Sequence, residues 1–230
     1  MQAITRTNAN VHQPVISVLL IVTALLCLQS AGYGQQWKKV VIDPQMTTPC
    51  DVRVADMDGD GDQDIVVSDW DAGFLLWYEN EGDNVTWRRH LIGRNIESVM
   101  GVAVADFDGD AKPDIAAAAW MGDHVTWYRN NLPDSNWASF DIDSRLPKAK
   151  WVEAGDIDND GDIDILASST RDDRLLVYYN TGGTPPLWIK RAIYQSQGSE
   201  GAQMVFKDMN DDGMLDIVAA IKSNGRLVLL

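Results

Sequence analysis

The stretch Asp56 to Asp64 reads DMDGDGDQD. It places carboxylates at loop positions 1, 3, 5, 7 and 9 (Asp56, Asp58, Asp60, Asp62, Asp64) and a glycine, Gly61, at position 6. Three further stretches keep the same frame: Asp106 to Asp114 (DFDGDAKPD), Asp156 to Asp164 (DIDNDGDID) and Asp208 to Asp216 (DMNDDGMLD). Their first residues are 50, 50 and 52 positions apart. Self-similarity at such a period signals a repeat architecture, in which each unit buries its faces against its neighbours.

The rest of the chain keeps the same beat. Trp37, Trp87, Trp137 and Trp188 open the related segments WKKVVI, WRRHLI, WASFDI and WIKRAI. An alternating run leads into each acidic loop (VRVAD, VAVAD, VEAGD, MVFKD), and Asp-Ile resumes after it (DIVVSDW, DIAAAAW, DILASST, DIVAAIK). A polar turn then precedes FLLWYEN, HVTWYRN, RLLVYYN and RLVLL, with Asn80, Asn130 and Asn180 closing the first three. Short alternating runs rich in β-branched and aromatic residues, separated by turn signals, predict strands, and no stretch shows a helical period. The expectation is an all-β protein, a β-propeller of four-stranded blades with about four blades visible. A parallel β-solenoid is the rival, although its repeats are usually much shorter.

The phase of the repeat adds a second expectation. The chain enters at a fourth-strand segment (Trp37 to Ile42) and stops inside a third-strand segment (Arg226 to Leu230). The N-terminal segment would then complete the last blade and close a four-bladed ring. The apolar end at Leu229 and Leu230 favours instead a portion of a larger propeller.

The loops carry the chemistry. A hard divalent cation takes six to eight oxygens, and Ca²⁺ accepts them in flexible geometry. Carboxylates at positions 1, 3 and 5 of a tight turn converge on one point, and a position-7 carbonyl and a position-9 side chain complete the cup. The expected ligands are Asp56, Asp58, Asp60, the carbonyl of Asp62, and Asp64; then Asp106, Asp108, Asp110, the carbonyl of Lys112, and Asp114. They continue with Asp156, Asp158, Asp160, the carbonyl of Asp162, and Asp164; then Asp208, Asn210, Asp212, the carbonyl of Met214, and Asp216. The expected cofactor is Ca²⁺, up to four ions, with the loop at 106–114 departing most from the pattern because Ala111 replaces glycine. Asp-Gly turn chemistry alone accounts for one Asp and one Gly per loop, not for four carboxylates at fixed spacing. Two carboxylates about 4 Å apart repel by about 1–4 kcal/mol, so the cluster opposes folding without a cation. A helical calcium loop is excluded, since position 12 holds Val67, Ala117, Ala167 and Ala219 and β-type sequence follows.

Composition narrows the partners. The formal net charge is −15, and the four loops hold 18 of the 34 acidic residues. Such a chain lacks the basic footprint that nucleic acid requires. Residues 1–34, with an apolar run from Val15 to Leu28 followed by small and polar residues, read as a secretory signal peptide. That run is short of a membrane span, so no transmembrane anchor is expected after cleavage. The mature chain, residues 35–230, keeps only Cys50 and can form no internal disulfide. The expected location is secreted, at the cell surface or in the periplasm.

An enzyme finds little support. His90 sits at a generic strand position and His124 in a turn, with no nucleophile elbow, phosphate-binding loop or zinc cluster. A polysaccharide lyase is the alternative from another class. Trp70 and Trp120 share one repeat position, read as packing between blades in preference to sugar platforms.

The DxDGDGxxDI run with a following WYxN resembles the FG-GAP/VCBS-type repeat, a bacterial relative of the integrin α-chain propeller, and the resemblance covers residues 37–230. It implies a calcium-stapled β-propeller, often seven-bladed, on a secreted or surface protein that binds a protein or glycan. The literal Phe-Gly and Gly-Ala-Pro signatures are absent.

Overall fold

The computed structural model describes residues 38–134, 136–195, 202–222 and 225–230. Trp37 and the leader at 1–34 lie outside the described residues. All 15 strands fall in the unit Val41–Leu230, and the described residues contain no α-helix.

The strands form four antiparallel sheets in chain order. The first holds β1 (Pro49–Ala55), β2 (Asp64–Asp69), β3 (Phe74–Asn80) and β4 (Trp87–Gly93). The second holds β5 (Val99–Ala105), β6 (Asp114–Ala119), β7 (His124–Arg129) and β8 (Ala138–Asp143). The third holds β9 (Ala149–Gly155), β10 (Asp164–Ser169), β11 (Arg174–Asn180) and β12 (Trp188–Gln195). The last has three strands, β13 (Ala202–Lys207), β14 (Asp216–Ile221) and β15 (Arg226–Leu229). Each sheet is a meander of consecutive strands, the blade unit of a β-propeller.

The blades are held by their faces. Met57, Val66, Leu75 and Trp77 of the first blade pack on Val99, Val102, Ile115 and Ala117 of the second. Phe107, Ala116, Ala118 and Trp127 of the second meet Val152, Ile165, Leu176 and Tyr178 of the third. Leu166, Leu175 and Val177 meet Met204, Ile217 and Ala219 of the fourth. β6 reads DIAAAA and is buried at every residue, because small side chains let sheets approach on both sides. The innermost strands β1, β5, β9 and β13 stand side by side in that order.

Gly101 marks the tightest approach. A Cβ there would lie 2.7 Å from the Cα of Trp151 and 2.8 Å from the carbonyl oxygen of Lys150. Both obstacles are backbone and cannot turn aside. Gly101→Ala is therefore expected to lose about 2–3 kcal/mol, the upper range for overpacking. An unchanged urea midpoint would refute the close approach.

Among the described residues the sheets do not close into a ring. Residues 38–42 form no strand, and Ile42 and Met46 instead pack against Val67, Leu76 and Tyr78 of the first blade. β15 keeps a free edge among the described residues. Leu227 and Leu229 on the fourth blade are exposed, where the matching Leu75 and Trp77, Val125 and Trp127, and Leu175 and Val177 of the earlier blades are buried.

Candidate functional site

Each acidic loop is the hairpin connection between the first and second strands of its blade. Position 9 opens the second strand and pairs with the residue just before position 1: Ala55 with Asp64, Ala105 with Asp114, Gly155 with Asp164, Lys207 with Asp216. The strand register therefore brings both ends of the nine-residue stretch together.

Inside the loop, the position-1 carboxylate is the turn's own scaffold. Asp56 accepts from the N–H of Gly59 (2.8 Å) and of Gly61 (3.0 Å). Asp106 accepts from Asp110 and Ala111, Asp156 from Asp160 and Gly161, and Asp208 from Asp212 and Gly213. Position 6 takes a left-handed φ, +96° at Gly61 and Gly161, which glycine adopts without a Cβ penalty. Ala111 is driven to +67° at the same place, at a strain cost of about 1–3 kcal/mol.

The position-9 carboxylates are fully buried at Asp64, Asp114 and Asp164. Each binds two backbone donors. Asp64 accepts from Met57 (3.0 Å) and Asn80 (2.8 Å), Asp114 from Phe107 (3.3 Å) and Asn130 (2.7 Å), and Asp164 from Ile157 (2.9 Å) and Asn180 (2.8 Å). Trp127 adds an indole N–H to Asp114 at 3.0 Å. Burial pushes all three carboxyls above the ordinary range, Asp114 to about 7 and Asp164 to about 6, against the opposing backbone hydrogen bonds. The exposed Asp58 is likewise raised, by desolvation first and by Asp60, Asp64 and Glu79 nearby.

Three sets of carboxylate oxygens lie within 4.8 Å of one another: Asp56, Asp58 and Asp64; Asp106, Asp108 and Asp114; Asp156, Asp158 and Asp164. These are positions 1, 3 and 9. Asp60, Asp110 and Asp160 stand outside these sets, each with one oxygen on the N–H at position 7, that of Asp62, Lys112 and Asp162. The fourth loop forms no such trio among the described residues. There Asn210 stands at position 3 and accepts from Asp212 (2.9 Å), while Asp216 accepts from Met209 (2.9 Å). An all-oxygen trio rich in negative charge suits a hard divalent cation. The raised carboxyls of the first and third loops fit that chemistry, as groups that gain a partner when an ion enters. In the second loop the guanidinium of Arg129 already stands 2.6 Å from Asp108.

Neighbouring contacts were only partly legible in sequence. Asn130 and Asn180 each reach back to the preceding blade, donating to the carbonyls of Met57 (2.7 Å) and Phe107 (2.8 Å) at loop position 2. Tyr78 and Tyr178 donate to Asp43 and Asp143, both at 2.6 Å and both 35 residues apart. The even spacing of the asparagines was visible, but their role as links between blades was not. His90 stacks on Trp77 with ring centroids 4.2 Å apart and meets Glu79 at 2.7 Å. Trp70 and Trp120 touch edge to face at 5.9 Å, and Trp120 donates to Thr170 (3.0 Å), so this position packs from blade to blade.

Among curated proteins no match was found. Compared with models of known families, residues 56–117 and 156–219 match the FG-GAP-like repeat. Each match starts at position 1 of one loop and ends three residues past position 9 of the next, so the matched unit is this pair of loops with the strands between. Together the two matches cover more than half of the sequence, and the chain belongs to the FG-GAP-like repeat family.

Proposed function

We propose that this chain is a secreted, calcium-binding β-propeller module that recognises or scaffolds a protein or glycan, its Asp-rich loops holding structural Ca²⁺. The observation carrying the reading is the recurrence of an oxygen-only trio at the same corner of successive blades. All ligands on our reading are those of positions 1, 3, 5, 7 and 9. The ion pins the first hairpin of the blade and neutralises carboxylates that burial leaves reluctant to ionise. The proposed leader at 1–34 and the family's usual place on extracellular or surface proteins support secretion. Among the described residues no helix is long and apolar enough to cross a membrane.

Calorimetric titration with Ca²⁺ tests the reading. Asp58→Ala and Asp158→Ala are each expected to lose one bound ion relative to the parent protein. Unchanged stoichiometry in both would remove those loops from the site.

One observation favours the lyase as a second reading. A cleft of about 610 Å³ is lined by Trp77, Glu79, Arg88, His90, Pro133 and Trp137, placing an acid–imidazole pair beside aromatic rings. Incubation with acidic polysaccharides would then release unsaturated, ultraviolet-absorbing products. Binding without product supports the recognition module.

A further inference from the structure

We infer that the second loop, 106–114, is held by the guanidinium of Arg129 where its siblings take a divalent cation, and so binds no metal. The inference rests on reading the other loops as cation sites.

Arg129 occupies the same repeat position as Glu79 and Tyr179, 23 residues after position 1 of its loop. All three sit near the end of a third strand, against the loop of their own blade. Only the second blade puts a fixed cation there. Its Nε lies 2.6 Å from Asp108 Oδ2, and its Nη2 3.3 Å from Asp110 Oδ2. The Asp108 side chain is 0% exposed and that of Arg129 29%. Asp58 and Asp158, the siblings of Asp108, are exposed instead. Glu79 is turned toward Arg88 and His90, and Tyr179 lies beneath Arg191.

A bound Ca²⁺ would need Asp108 and Asp110 oxygens at 2.3–2.6 Å, on the side that the guanidinium now faces. A divalent ion there would stand within contact distance of a group that never deprotonates. Other features of the loop agree. Ala111 replaces the position-6 glycine, and Lys112 at position 7 sends its ammonium to the carbonyl of Leu132 at 2.7 Å, adding a second positive charge beside the loop. A planar guanidinium that reaches two carboxylates from one side chain is a permanent counter-ion. It would keep the second blade stapled when calcium is withdrawn.

The test is the count of bound Ca²⁺ by equilibrium dialysis for the parent protein, Asp108→Asn, Arg129→Gln and Asp58→Ala. Asp108→Asn is expected to leave the count unchanged, whereas Asp58→Ala lowers it by one. Arg129→Gln is expected to raise the count by one, and to lose thermal stability in chelator that Ca²⁺ restores. A parent protein that loses one ion on Asp108→Asn overturns the inference, as does an Arg129→Gln variant that folds and gains none. Should Arg129→Gln fail to fold, the Asp108→Asn count still decides. Failure of the broader reading looks different: the parent protein would bind no Ca²⁺ at any loop.

Discussion

Asp164→Ala is expected to lower the unfolding free energy of the metal-free protein by about 3–4 kcal/mol, measured by urea denaturation in chelator. The side chain is fully buried, and its two oxygens accept from separate segments: Oδ2 from the N–H of Ile157 in the loop, and Oδ1 from the N–H of Asn180 at the end of β11. Removing the carboxylate strands both donors where water reaches poorly, at about 1–3 kcal/mol each, and leaves a cavity. Relief of the carboxylate's own burial offsets part of this, since desolvation holds its pKa at about 6. Asp164→Asn is the sharper variant. An amide presents one acceptor and one donor, so one of the two backbone N–H groups would face an NH₂. Asparagine is therefore expected to cost most of what alanine costs. Asp156→Ala should cost about 1 kcal/mol in the same buffer, because its partners lie in an exposed turn that water can serve. Equal losses at 156 and 164 would show that the position-9 carboxylate is no hub.

That asymmetry was not legible in the sequence, where positions 1 and 9 are both aspartates in a hydrophilic loop. Repeat spacing and strand alternation were enough to read the four blades, their strand order and the loop corner. Those features are local, written into Asp-Ile, the polar turns and the Trp-to-Ile segments. What stayed hidden depends on distant partners. The burial of Asp164 follows from the register that sets it opposite Gly155 and beneath the end of β11. Asn130 reaches Met57 across 73 residues, and Arg129 reaches Asp108 because β7 ends beside the loop of its own blade. The signal for Arg129 was present as an odd residue at a repeat position, Glu79, Arg129, Tyr179, but its sign matters only once the strand is known to face the carboxylates. The N-terminal segment shows the same dependence on distant partners. Trp37 to Ile42 matches its siblings in sequence, yet Ile42 finds its apolar partners on the first blade and not on the fourth.

Withdrawal of calcium is expected to lower the melting temperature by roughly 2–16 °C at neutral pH. Extracellular-type sites with dissociation constants of about 10⁻⁴–10⁻³ M gain about 0.4–1.4 kcal/mol each from millimolar Ca²⁺ by mass action. Three such loops give about 1–4 kcal/mol, and for a unit of this size each kcal/mol moves the midpoint by about 2–4 °C. The pH dependence supplies a second handle. In the metal-free protein Asp58, Asp64, Asp114 and Asp164 all have folded pKa values above the unfolded 3.8, with Asp114 near 7 and Asp164 near 6. A group whose pKa is raised on folding favours the folded state while protonated. Its contribution is full below pH 3.8 and is lost as pH rises through the folded value. These groups therefore make the chelated protein less stable as pH rises from about 4 to about 7, opposite to the usual acid weakening of carboxylates in ion pairs. Calcium competes with the protons of Asp58, Asp64 and Asp164, so its stabilising effect should be largest at neutral pH and shrink toward pH 5. Scanning calorimetry at both pH values, with Ca²⁺ and with chelator, measures all four corners. A calcium increment equal at the two pH values would mean that the buried carboxylates do not hold the ion, and no increment at either would remove the metal from the fold altogether.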